Sequence, residues 1–109
     1  MSRFFPTPTE CGHHVIFGKV AITTYAGDQA QISVVDIPAD GVVEWHAHAN
    51  EQMGMVVSGR ATFYIGDEEK ILQPGDVYLM PGNVPHKVVP LDGPVRAVDV
   101  FYPIRDEYR

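Results

Sequence analysis

The fold of this chain is decided by the stretch between two glycines, Gly41-Val-Val-Glu-Trp-His-Ala-His-Ala-Asn-Glu-Gln-Met-Gly-Met-Val-Val-Ser-Gly59. In its second half Met53, Met55 and Val57 recur at every other position, and this period of two predicts a β-strand. In its first half His46 and His48 are two positions apart, so an extended chain directs both side chains to the same face. The stretch therefore predicts a β-sheet in which one face carries both histidines.

The rest of the chain is broken into short segments by 10 glycines and 9 prolines, which leave no room for a long helix. Between them lie runs rich in Val, Ile, Phe, Tyr and Thr, at 15–17, 32–37, 55–57, 61–65, 77–80 and 95–102. Gly66 and the three acidic residues after it, 67–69, have the composition of a hairpin turn, with a return strand near 70–72. Many short strands at this spacing predict an all-β sandwich or barrel.

Length and charge narrow the functional classes. A chain of 109 residues fits one folded unit, so we expect a single domain over residues 1–109. The formal charge of -6 is opposite in sign to that of a surface that neutralises phosphates, which argues against nucleic-acid binding. No apolar run approaches the roughly 18 residues of a membrane-spanning helix, so no membrane insertion is expected. The lone Cys11 and the absence of a secretion-signal pattern predict a cytoplasmic protein.

A candidate metal site follows from the histidines. His46 and His48 would present two imidazoles from one sheet surface, which is a spacing that metal ions use. If the chain stays extended, the side chain of Gln52 faces the same side as the two histidines, whereas that of Glu51 points away. His86 opens a strand after a proline-rich turn that can set its ring opposite the first pair. Such imidazole-rich sites suit one divalent ion of Zn, Ni, Co, Fe, Mn or Cu, and the affinity order alone does not choose among them.

Two predicted strands present apolar side chains to both of their faces. Met53, Met55 and Val57 alternate with Val56. In the same way, the apolar residues at 98 and 100 alternate with those at 97 and 101. Both faces of such strands are expected to be covered, and in so small a chain the cover predicted here is a second subunit. The sequence therefore predicts a homodimer.

The stretch from 41 to 86 resembles the two motifs of the cupin superfamily. The first motif is a Gly followed by His-x-His, a Glu or Gln and a Gly, and the second is a Gly, a Pro and a third His, here Gly75, Pro81 and His86. This resemblance implies an all-β, single-domain, cupin-type jelly-roll β-barrel.

A narrower resemblance covers nearly the whole chain. His-x-His-x-x-Glu-Gln at 46–52, Pro-x-x-Val-Pro-His at 81–86 and Asp-Val-Phe-Tyr-Pro-Ile-Arg-Asp-Glu-Tyr at 99–108 are similar to the KdgF type of small cupin. Those proteins are dimeric, metal-dependent enzymes of pectin and alginate breakdown. They convert 4,5-unsaturated uronate monosaccharides into linear ketonised sugars. The resemblance implies such a ring-opening isomerase, with His46, His48, Gln52 and His86 as metal ligands and Asp99, Phe101 and Arg105 as active-site residues.

The positions of Asp99, Phe101 and Arg105 in the sequence also allow an interpretation without the resemblance. Asp99 shares strand parity with Ala97 and Phe101, and apolar surroundings raise a carboxyl pKa to a value that suits acid/base work. The alternative is an edge-strand charge that faces water. Arg105 offers a planar fork for a uronate carboxylate, or it is a solvated surface charge. Phe101 lines a sugar site or packs in the core.

Two other functions fit the same residues. A small cupin dioxygenase would hold Fe(II) in this pocket and leave the open positions to substrate and O₂. A non-catalytic sugar-binding or metal-binding module would need Arg105 but has little use for a carboxylate beside a metal. Asp99 therefore favours an enzyme over a binding module.

Overall fold

The computed structural model describes residues 2–109. The elements in chain order are a 3₁₀ turn at Pro8–Glu10, β1 Gly12–Ile16, β2 Val20–Ala26, β3 Gln31–Ile37, β4 Val43–His46, β5 Glu51–Ser58, β6 Ala61–Ile65, β7 Glu68–Leu72, β8 Val77–Met80, β9 His86–Pro90, β10 Val95–Tyr102 and a 3₁₀ turn at Asp106–Tyr108. Within the part of the chain that is described, no helix is long and apolar enough to cross a membrane.

The strands form two sheets in which neighbouring strands run antiparallel. The larger sheet has the order β1-β2-β3-β10-β5-β8, and the smaller sheet has the order β4-β9-β6-β7. The last strand, β10, is inserted between β3 and β5, so residues far apart in sequence become neighbours. The all-β jelly-roll prediction is confirmed.

Three strands, over 61–65, 77–80 and 95–102, have the predicted bounds. The predicted hairpin turn was too long, because Glu68 and Glu69 already pair with β6 as part of β7. Gly66 has a φ of +60°, which a two-residue hairpin turn requires, so Gly66 and Asp67 suffice for the reversal. The strand β2 was not predicted, since its sequence of small and hydroxyl residues lacks a long apolar run.

The inner face of the larger sheet carries side chains in three layers that run across the strands. The apolar layer contains Ile22, Val35, Ala97 and Val56. The middle layer contains Thr24, Ser33, Asp99, Gly54 and Tyr78, and the upper layer contains Gln31, Phe101, Gln52 and Met80. The apolar layer belongs to the hydrophobic core, and so do Tyr78 and Met80. The two upper layers also contain five buried polar residues, Thr24, Gln31, Ser33, Gln52 and Asp99. Polar groups inside a small barrel need hydrogen-bond partners, because burial without partners costs free energy.

The outer face of the same sheet is apolar and exposed. Met53, Met55, Val77, Leu79 and Val100 are each at least 43% exposed, and we call this set the outer patch. Its members are cross-strand neighbours, since Met53 pairs with both Leu79 and Val100, and Met55 pairs with Val77. The strands that the sequence predicted to need a cover are therefore uncovered on this side within one chain.

Candidate functional site

Three histidines converge from different elements. His46 is the last residue of β4 and pairs with His86, the first residue of β9. His48 lies in the connection between β4 and β5, so the prediction that His46 and His48 share one strand was wrong. The chain bends there because it leaves the smaller sheet and enters the larger one. One ring nitrogen from each histidine nevertheless lies within 4.8 Å of the other two.

Backbone carbonyl groups fix the orientation of all three rings. Nδ1 of His46, His48 and His86 lies 2.8, 3.0 and 2.9 Å, respectively, from the carbonyl oxygen of a residue two positions away. A carbonyl oxygen only accepts hydrogen bonds, so Nδ1 of each ring is the protonated donor. The Nε2 atom of each neutral ring therefore carries a free lone pair.

These lone pairs face one another. Nε2 of His86 lies 3.1 Å from Nε2 of His46, and Nε2 of His48 lies 3.0 Å from Oε1 of Gln52. With Nδ1 protonated, neither contact has a hydrogen to share, so both pairs repel unless a cation lies between them. Burial lowers the pKa of all three imidazoles, to about 4 for His86, so a ring proton does not serve as this cation near pH 7.

The spacing of these atoms matches a metal ion. Two nitrogen atoms that bind one ion at about 2.0–2.1 Å are roughly 3.0–3.4 Å apart, which is the separation of the His46 and His86 nitrogens. The three-histidine cluster is therefore a possible metal site, and the donor set fits a divalent transition metal.

Gln52 and Glu51 are adjacent in β5 and face opposite sides. Gln52 is 8% exposed and lines the cavity that the histidines border, whereas Glu51 is exposed to solvent. Strand parity predicted this orientation, and the bend before β5 does not disturb it. The amide oxygen of Gln52 lies beside the cluster, so its assignment as a fourth ligand stays a prediction that the geometry permits.

Asp99 lies in the interior, in contact with Tyr78. The Tyr78 hydroxyl donates a hydrogen bond to Oδ1 of Asp99. Tyr78 is on β8 and Asp99 is on β10, with β5 between them, and Gly54 is the β5 residue that pairs with both. A Cβ atom at Gly54 would overlap both side chains. The absence of a side chain at this position is what allows two non-adjacent strands to share a hydrogen bond.

Burial sets the protonation of this pair. Removal from water raises the pKa of Asp99 to about 7, although hydrogen bonds from Tyr78 and Gln52 favour its charged form. Burial and the charge of Asp99 raise the pKa of Tyr78 well above 10, so the phenol remains the donor. The alternative of an edge-strand charge is excluded for Asp99, because β10 is flanked on both sides and Asp99 is 4% exposed.

Arg105 brings a positive charge to the same cavity. Its guanidinium carbon lies 5.5 Å from the ring centre of Phe101 and 4.7 Å from that of Tyr108. The side chain is 17% exposed, and its Nε donates to Glu107 at 3.1 Å. Burial is the main cause of the lowered pKa of His48, and the positive charge of Arg105 is the second cause. Arg105 is therefore a cavity residue and not the solvated surface charge of the alternative interpretation.

Phe101 forms the wall between Arg105 and the histidines. The ring is 7% exposed, and its centre lies 5.6 Å from that of His48 in an edge-to-face arrangement. Phe101 thus packs in the interior and lines the cavity at the same time. The interior position is therefore confirmed, and a role of Phe101 at a sugar site stays a prediction.

Tyr78 and Gln31 are among the cavity residues that the sequence reasoning missed. Tyr78 stands in an apolar strand with no local sign of its partner. Gln31 is 2% exposed, accepts a hydrogen bond from the backbone nitrogen of Arg105 at 2.9 Å, and donates one to the carbonyl of Tyr108 at 2.8 Å. Neither contact could be found from the sequence, because each depends on pairing between distant segments.

Comparison with known proteins gives the same fold. A family model described as "Cupin domain" matches residues 33–101, and no curated protein matches the chain. KdgF from Halomonas sp. is 25% identical with a TM-score of 0.83, over 94% of this chain and 97% of that chain. An RmlC-like cupin from Shewanella frigidimarina is 21% identical with a TM-score of 0.86, over 97% and 96% of the two chains.

A predicted oxalate decarboxylase from Thermotoga maritima is 13% identical with a TM-score of 0.75, over 90% and 97% of the two chains. The Shewanella and Thermotoga likenesses bear on the fold alone. The family model spans more than half of the chain and includes the three histidines that converge in the barrel. This protein therefore belongs to the cupin family.

Proposed function

We propose that this protein is a metal-dependent isomerase that opens 4,5-unsaturated uronate monosaccharides and converts them to linear keto sugars. The observation that carries the proposal is that Asp99 and Arg105 line one cavity together with His46 and His86, two members of the histidine cluster. A base with a pKa near 7 and a cation for a carboxylate are the two protein groups that this reaction needs. The likeness to KdgF from Halomonas sp. supports the assignment. The proposed substrate would place the protein in pectin or alginate breakdown.

Arg105 binds the substrate carboxylate in this proposal. A guanidinium presents two parallel donors to the two oxygens of a carboxylate, and partial burial strengthens that contact. The rings of Phe101 and Tyr108 stack against the guanidinium and limit its movement. The substrate is therefore oriented with its carboxylate at Arg105 and its ring toward Asp99.

His46, His48, His86 and Gln52 would hold the metal ion. All four donors are neutral, so a bound divalent ion keeps its full charge and supplies Lewis-acid stabilisation of developing negative charge on oxygen. The hydrogen bonds from Nδ1 to backbone carbonyls hold the rings in place for this task.

Asp99 moves the proton. As a carboxylate it takes the proton of the hydroxyl at the hemiacetal carbon, the bond from that carbon to the ring oxygen breaks, and an aldehyde and an enolate form. Asp99 then returns the same proton to the enolate carbon, so that the former ring oxygen becomes the ketone beside the carboxylate and Asp99 is a carboxylate again. No atom is gained or lost, and no electron leaves the substrate. A pKa of about 7 lets Asp99 serve in both directions near neutral pH.

Incubation of the purified, metal-loaded protein with unsaturated galacturonate tests the proposal. Loss of the ultraviolet absorbance of the conjugated double bond is expected, at the same rate with and without oxygen. A chelator-treated sample and the Asp99→Asn variant are the controls, and both should be slow. Turnover that requires O₂ would indicate a dioxygenase, and binding without turnover would indicate a sugar-binding module.

A further inference from the structure

The middle layer contains a hydroxyl group that the proposed reaction does not use. Thr24 is 2% exposed and lines the cavity, and its Oγ1 has no hydrogen-bond partner among the described residues. A buried hydroxyl without a partner is unfavourable, and valine would fill the same volume without that cost. An unpartnered donor and acceptor in the wall of a ligand cavity therefore points to a partner that comes with the ligand.

Thr24 has a second hydroxyl beside it. Ser33 on β3 is also 2% exposed, lines the same cavity, and is the cross-strand neighbour of both Thr24 and Asp99. The two hydroxyls thus continue the middle layer from Asp99 in the direction opposite to Tyr78. On the next strand, a Cβ atom at Gly12 would lie 2.6 Å from Oγ1 of Thr24 and 2.5 Å from the backbone oxygen of Arg109, so the glycine leaves room for both groups.

We infer that Thr24 and Ser33 form a subsite for the ring hydroxyl groups of a sugar acid, next to Asp99. Arg105 and Tyr108 border the same cavity, so a ligand whose carboxylate meets Arg105 can extend its hydroxyls along the middle layer. Each protein hydroxyl can both donate and accept, and a sugar hydroxyl matches both roles. The pair selects polyhydroxylated acids over short keto acids, because an acid without hydroxyls leaves Thr24 unpaired. This inference rests on the proposed function for the class of ligand.

Binding of two unreactive probes tests the subsite. D-galacturonate carries a carboxylate and ring hydroxyls, whereas pyruvate carries a carboxylate and no hydroxyl. Titration calorimetry with the metal-loaded protein should show that Thr24→Val weakens galacturonate binding on the order of 3- to 10-fold and leaves pyruvate binding within about 2-fold. The variant should unfold at the same temperature as the wild type or higher, since it loses an unpaired polar group.

Thr23→Val is the matched control, because Thr23 precedes Thr24 in β2 and lies on the opposite face of the strand. It should change neither affinity, and Ser33→Ala should behave as Thr24→Val does. Equal galacturonate affinity in Thr24→Val and the wild type, as expected if a water molecule satisfies the hydroxyl, would overturn the subsite. Equal losses for both probes, or no galacturonate binding by the wild type, would also overturn it.

The turnover assay separates this inference from the proposed function. Turnover of unsaturated galacturonate with an unchanged KM in Thr24→Val would leave the isomerase in place and remove the subsite. Absence of turnover, with galacturonate binding that depends on Thr24, would keep the subsite and remove the isomerase.

Discussion

At the scale of single residues, the contrast between Gln52 and Glu51 gives a direct test of the metal site. Only Gln52 places an oxygen beside the histidine cluster, while Glu51 faces solvent. Gln52→Ala should therefore lower the bound metal severalfold, and Glu51→Ala, its matched neighbour, should retain the wild-type content. Elemental analysis of the two purified variants makes the comparison. Equal loss in both variants would show that the ligand set is wrong.

Asp99 predicts a pH dependence of stability. Burial raises its pKa from 3.8 to about 7, so the folded protein retains a proton that the unfolded chain releases. The stability that this group contributes is complete below pH 4 and is lost as the pH rises through 7, by about 1.4 kcal/mol per pH unit inside that range. Asp99→Asn does not titrate, so its stability relative to the wild type should increase between pH 5 and pH 7.

Urea unfolding of the chelator-treated wild type and variant at several pH values measures this difference. Tyr78→Phe is an informative second variant, since it removes a hydrogen bond that favours the charged carboxylate. The pKa of Asp99 should rise further in that variant, and its loss of stability should move to higher pH. A stability difference between wild type and Asp99→Asn that does not vary with pH would mean that Asp99 is already ionised in the folded protein.

At the scale of elements, the segment after β10 is attached to the barrel by side chains from other parts of the chain. Gln31 hydrogen bonds to both Arg105 and Tyr108, and Nδ2 of Asn50 donates to the carbonyl of Pro103 at 2.6 Å. These bonds hold the backbone of Arg105 over the cavity. Gln31 is therefore a positioning residue for the guanidinium, although it does not touch the substrate in our proposal.

Substitution of Gln31 and Arg105 should affect substrate binding more than turnover. We expect Arg105→Ala to raise KM for unsaturated galacturonate about 10-fold or more and to change kcat less, because a contact that is equally strong in ground and transition states acts on KM. Gln31→Met should raise KM in the same sense but less. In the double variant the two effects should not add, because Gln31 acts through Arg105. Additive effects on KM would show that Gln31 acts on substrate binding independently of Arg105.

At the scale of the whole molecule, the outer patch predicts association of two copies. Five apolar side chains adjoin one another on an open sheet face, and contiguous exposed apolar surface is typical of protein interfaces. Sedimentation at micromolar concentration should give twice the mass of one chain. Met55→Glu places a charge within the patch and should give a monomer with unchanged metal content. Ile71→Glu, on an equally exposed site of the smaller sheet, should remain a dimer.

The sequence by itself determined the features that depend on local periodicity. The all-β class and the bounds of β6, β8 and β10 follow from short runs of β-forming residues between glycines and prolines. The opposite orientations of Gln52 and Glu51 follow from the two-residue period of an extended chain. The histidines at 46, 48 and 86 were also identified as candidate ligands, although His48 lies outside the strand that the prediction assumed. Fold class and candidate ligands could therefore be predicted before any tertiary contact was known.

Only the tertiary structure decided which distant groups meet. The hydrogen bond between Tyr78 and Asp99 exists because β5 lies between their strands and carries Gly54 at the shared register. The attachment of Arg105 by Gln31, and the hydroxyl pair of Thr24 and Ser33, likewise depend on strand order and register. The period of a strand fixes which side chains face inward, but which distant strands become neighbours depends on the packing of the whole barrel.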